Sequence, residues 1–130
     1  MSFSHLFGDA KATAKAPDLQ RKRRALLEAK ARFEENPNAQ TQAVLAAALF
    51  DIGQFAEAEK LLTDLVETHG DNQQILFDLA FVYKNLGKRE KSAAAFRCVI
   101  DLDPKHPLAR SAENELWSLD PDYTPSWMRK

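Results

Sequence analysis

The sequence predicts an all-α chain of stacked helix pairs, and three observations carry that prediction. Among 130 residues only 4 are glycine and 6 proline, while Ala, Leu, Glu, Lys and Gln are plentiful, a mixture that favours helix. In Leu45-Ala46-x-x-Leu49 and again in Leu79-Ala80-x-x-Tyr83, a large, a small and a large residue fall on one helical face. Finally, residues 39–72 and 73–106 align without a gap: Leu45 falls on Leu79, Ala46 on Ala80, Leu49 on Tyr83, Gly53 on Gly87, Leu62 on Phe96 and Leu65 on Val99. The chain is an internal repeat with flanks.

Taken in order, residues 1–17 form an N-terminal arm, either mobile or a loosely docked partial helix. Asp18 to Glu35 reads as a helix with Asp18 as N-cap after Pro17. Its apolar positions are Leu19, Ala25 or Leu26, Ala29 and Phe33, and Asn36-Pro37 ends it. Each repeat then supplies two helices. Gly53 and Gly87 lie just past the end of each first helix, where a left-handed C-cap costs glycine little. Ala58 is the small residue facing back from the second helix, with Leu62 and Phe96 filling the space beside it, and Asp103-Pro104 closes the second unit. Residues 107–119 form a capping helix, apolar through Leu108, Ala112, Leu116 and Leu119 and polar through Arg110, Glu113 and Asn114, as a terminal outer face requires. The tail, residues 120–130, is too proline-rich for helix.

These residues resemble the tetratricopeptide-repeat family, whose pattern runs Trp-x2-Leu-Gly-x2-Tyr, then Ala-x3-Phe, then Pro, with this same period. The resemblance covers Ala39 to His106. Gln42 and Leu76 stand for the Trp, Ala46 and Ala80 for the first Gly, Ser92 for the second unit's Ala, and Gly70 for the first unit's Pro. The large–small packing logic survives each change. The resemblance implies a short right-handed α-α superhelix of two full repeats, residues 18–119 in all, and a function in holding another polypeptide.

Composition narrows the function classes. A formal net charge of −1 gives no whole-molecule reason to expect nucleic acid or an anionic membrane. The charge is uneven: residues 39–72 carry 1 basic and 6 acidic side chains, between two net basic segments. That pattern either steers a basic partner or keeps neighbouring repeats soluble. Cys98 is alone, so no intramolecular disulfide forms. No early apolar run reads as a signal peptide and none is long enough to span a bilayer, so a cytoplasmic protein is expected. His5, His69 and His106 lack metal-site spacing, and no phosphate loop, nucleophile elbow or CxxC is present. No catalysis, metal or cofactor is expected. Arg21-Lys22-Arg23-Arg24 points four ways around a helix and has no interleaved aromatics, so it reads as a solvated surface before it reads as a nucleic-acid site.

In the family that this chain resembles, the first helix of each repeat lines a concave groove through its second, fifth, ninth and twelfth positions. Carried over, these are Gln40, Ala43, Ala47 and Phe50, then Gln74, Phe77, Phe81 and Lys84. Phe77 and Phe81 stand on one face and are spare to the repeat core, so they are expected to anchor a peptide. Relatives that bind acidic chaperone C-termini use Lys and Asn in the groove. Ala43, Ala47, Phe77 and Phe81 argue against such a clamp here. Other occupants remain open: the chain's own Phe3, Leu6 and Phe7, its Tyr123, Trp127 and Met128, or a second copy. The expected function is thus an adaptor or scaffold, with a small chaperone for an apolar client segment, or a nucleic-acid module using the basic helix, as alternatives.

Overall fold

The computed structural model describes residues 3–129, with side chains from Pro17 onward. Among these residues lie α1 (Phe3–Glu35), α2 (Ala39–Asp51), α3 (Phe55–His69), α4 (Gln73–Asn85), α5 (Arg89–Leu102) and α6 (Pro107–Leu119), with a single 3-10 turn at Ser126–Met128. Each helix packs on the next in sequence, and α2 also meets α4, as α4 meets α6. The fold is therefore a solenoid of helix pairs, in which α2, α4 and α6 stand side by side.

Local chemistry fixes the boundaries. Asn38 caps α2 through a reciprocal capping box with Thr41, its Oδ1 accepting from the Thr41 N–H at 2.9 Å. Asn72 caps α4 by accepting from Ile75 N–H at 3.1 Å, and the His106 ring caps α6 at Leu108 N–H. These three caps recur at the repeat's own spacing, so α6 begins where the first helix of a third unit would begin. At the other ends, Gly53 (φ +88°) and Gly87 (φ +77°) adopt the left-handed conformation. The following N–H groups, from Gln54 and Lys88, reach back to Leu49 and Tyr83 carbonyls at 2.8 and 2.9 Å. This is the Schellman arrangement that ends a helix on glycine.

The core falls into two joined clusters. One gathers Leu26 and Ala29 of α1 with Leu45, Leu49, Ala58, Leu62, Leu65, Leu79 and Val82. The other joins Leu76 and Ala80 of α4 to Ala95, Phe96 and Val99 of α5 and Ala112 and Leu116 of α6. Ser92, at the position of the first unit's Ala58, is buried, and its hydroxyl donates to the Ala80 carbonyl at 2.8 Å. The substitution is accommodated because the added oxygen finds an acceptor.

Three expectations require correction. The first helix does not start at Asp18. Its backbone is helical from Phe3 through Pro17, because an internal proline removes one hydrogen bond while the alanine-rich stretch before it favours helix. Asp18 instead pairs with Arg21 at 2.7 Å and Lys22 at 3.6 Å on the exposed surface. Leu26 rather than Ala25 enters the core, and Leu19 stays exposed. Phe3, Leu6 and Phe7 lie outside the residues whose side chains are described.

Glu113 is the second correction. Expected on the solvated face of α6, it is 5% exposed. Its carboxylate accepts from Tyr123 Oη at 3.1 Å, from Ser126 N–H at 3.1 Å and from Ser126 Oγ at 2.7 Å. The third follows from it. The C-terminal tail does not enter the groove but folds back on α6, burying Pro125 and setting Trp127 edge-on to Trp117 at 5.7 Å. Arg97 holds Asp120 at 3.0 Å, and the Arg89 guanidinium donates to the Leu119 carbonyl, so α5 helps seat the tail.

Candidate functional site

Between α2 and α4 runs a cleft of about 380 Å³. Ala47 and Phe50 of α2 and Phe81 of α4 form its walls, Ala46, Leu62 and Val82 its floor, and Asp51 and Asp78 add carboxylates. The smallness of Ala46 and Ala47 opens this space, since a larger residue at either would fill it. Ala47 is exposed, whereas Ala46 is buried where the helices approach.

The eight expected groove residues do not act as one set. Ala47, Phe50 and Phe81 meet at the cleft. Phe77 lies beside Phe81, its ring edge-on at 5.0 Å, half-buried like its neighbour. Contrary to the expectation that both rings are spare, each also packs edge-on to buried Phe96, at 6.0 Å and 5.3 Å. The reason is that Phe96, larger than the Leu62 it replaces in the repeat, reaches into the space beneath them. They are core on one side and groove on the other. Phe50 is held likewise by Phe55, at 5.3 Å.

The polar members are occupied. Lys84 forms an ion pair with Glu115 of α6 at 2.7 Å and lies over the Phe81 ring at 5.7 Å. Gln74 donates to Asp78 Oδ1 at 3.0 Å. Gln40 is exposed near the start of α2, and Ala43 packs against the first core cluster, both away from the cleft. Asp51 and Asp78 were missed by the sequence reading, which took only the family's groove positions. Each directly follows one such position, Phe50 and Phe77; the strongly acidic first repeat was a sign for Asp51, whereas Asp78 lies in the net basic second repeat and had none.

Burial pushes the Asp78 carboxyl above the usual carboxylate range, and the Gln74 amide opposes that shift. A carboxyl raised on folding binds its proton more tightly in the native state, so this group's contribution falls as pH rises through the native value. At neutral pH it is a net cost. Asp78→Asn, which keeps the Gln74 acceptor, is therefore expected to raise Tm at pH 7 by about 2 °C. The gain should shrink as both proteins are melted at progressively lower pH; a lower Tm for the variant at pH 7 would contradict the assignment.

No described helix is long and apolar enough to cross a membrane. Cys98 is exposed and its thiol is pushed up, by burial first and by Asp71 and Asp101 next, which opposes thiolate chemistry.

A stack of capped helix pairs with a cleft along its first helices defines a helical-repeat protein. The sequence profile described as tetratricopeptide repeat matches residues 49–116, more than half of the chain, and the chain belongs to that family. Members of the family are, in general, protein–protein interaction modules. The fold is also that of the solved Arabidopsis OM64 TPR domain, with a TM-score of 0.66 at 23% identity, covering 83% of this chain and 88% of that one. No curated relative matches the chain.

Proposed function

We propose that this protein is a non-enzymatic adaptor that grips an apolar segment of another polypeptide in the cleft between α2 and α4. The observation that carries this reading is the pairing of half-exposed Phe50 and Phe81 across the open space left by Ala47. An apolar side chain seated there would remove the open faces of both rings from water, a gain of roughly 1 kcal/mol per ring because each is already half-buried. The engagement of Lys84 by Glu115 further disfavours a carboxylate clamp. A chaperone sheltering an apolar client segment would use the same surface. The basic run has weaker support as a site: Arg21 and Lys22 lean on Asp18, leaving Arg23 and Arg24.

Ala47→Trp tests the reading without disturbing the core, because Ala47 is exposed. The variant should keep the natural melting curve while the indole fills the cleft. Capture of partners from lysate by the immobilised variant is expected to fall about tenfold or more. Equal capture by both proteins would sink the proposal.

A further inference from the structure

The cleft is apolar in its walls and acidic beside them, and that combination says what kind of segment fits. Asp51 is the last residue of α2 and is exposed, and Asp78 is half-buried on α4. Both line the same space as Phe50 and Phe81. Among the described residues neither carboxylate takes part in an ion pair. The partner of Asp78 is the neutral Gln74 amide. The one cation at an expected groove position, Lys84, is already held by Glu115. The first repeat, residues 39–72, carries 6 acidic side chains, Asp51 among them, to 1 basic. Asp78, half-buried beside apolar walls, is less well solvated than the exposed Asp51 and gains more from an incoming cation, while Asp51 adds to the local negative potential.

We infer that the segment held in this cleft carries a lysine or arginine beside its apolar anchor, and that Asp51 and Asp78 select it. The inference rests on the cleft reading above and adds a charge rule to it. The apolar side chain enters between Phe50 and Phe81, and the neighbouring cation takes one or both carboxylates. A bare metal ion does not suit the site, since no group of three His, Cys, Asp or Glu side chains with metal-holding geometry occurs among the described residues. The chain's own apolar-basic tail, Trp127-Met128-Arg129, is laid on α6, where Arg129 donates to the Thr124 carbonyl at 3.0 Å.

The test is selection from a display library of random peptides against the full chain, against an Asp51→Asn, Asp78→Asn double variant and against Ala47→Trp. The natural protein should enrich peptides with an aromatic or Leu anchor next to Lys or Arg. In a selected peptide, Lys→Gln should weaken binding to the natural protein about tenfold, with added salt eroding the difference. The double variant should still select the apolar anchor but lose the basic neighbour. Apolar peptides without a basic preference, or a preference that survives in the double variant, would overturn the charge rule and leave the cleft reading standing. Peptides captured equally by Ala47→Trp, or no enrichment at all, would overturn both. Sedimentation of the unliganded protein completes the test: a dimer that Ala47→Trp dissolves would mean that a second copy fills the cleft, which also overturns the inference.

Discussion

Phe96→Ala is expected to lower stability by about 3–5 kcal/mol and Tm by about 10–20 °C. The ring is 0% exposed and is among the largest fully buried side chains. It meets Phe77 and Phe81 edge-on, so its loss removes two aromatic contacts as well as the transfer energy of the ring. The hole resists collapse, because Ser92, one helical turn before Phe96, ties α5 to the Ala80 carbonyl of α4. The cost should therefore sit toward the upper part of the range. Without their floor, Phe77 and Phe81 are expected to turn inward, and groove binding should fall as well. Phe96→Leu, which restores what the first repeat uses at this position, should recover most of the stability. Thermal and urea melts of the two variants decide the matter: a loss under about 1 kcal/mol for the alanine variant would show that Phe96 is not the keystone of the second core cluster.

Glu113→Ala is expected to release the C-terminal tail. Three donors, from Tyr123 and Ser126, converge on this one carboxylate, and hydrogen bonds to a charged acceptor contribute about 1.5–3 kcal/mol each at most. Because the freed donors regain water, the net loss should be nearer 2 kcal/mol in all. Trp127 would leave Trp117, so tryptophan emission should shift to the red and the Ser126 amide should lose protection from hydrogen exchange. Glu113→Gln keeps an acceptor at Oε1 and is expected to retain most of the docking. The Tyr123 phenol is pushed up, by burial first and by the Glu113 charge next. A phenol raised on folding stabilises the docked state while protonated, and that contribution is lost as pH rises through its native value. Alkali should therefore free the tail in the natural protein before the helices melt. A Glu113→Ala protein with unchanged emission and exchange would disprove the latch.

How much of this was legible depended on how local the cause is. The packing helix of residues 107–119 was readable because proline starts it and the apolar spacing stays in one element. The glycine ends of α2 and α4 were equally readable, since a left-handed residue past an apolar run is a property of a few consecutive residues. Asn38, Asn72 and His106 repeat as caps and could have been read from the same period. Glu113 could not. Whether a carboxylate on a helix faces water or a latch depends on donors ten and thirteen residues further on, beyond a turn whose path periodicity does not give.

The sequence by itself determined the helix pairs, their period and the family, because a repeat is written in side-chain size at fixed spacing and each unit packs only on its neighbours. The N-terminal helix escaped it in part, since one proline reads as a start and the surrounding alanines carried the helix through. Only the tertiary structure decided which aromatic faces stay open. Phe77 and Phe81 are shared between core and groove because the helix beneath them carries a phenylalanine where the first repeat has leucine. It also decided that the cleft is acidic: Asp51 and Asp78 are far apart in sequence and one step off the family's groove positions. The packing of α2 against α4 brings them to the same space, while Glu115 removes the lysine that would have balanced them.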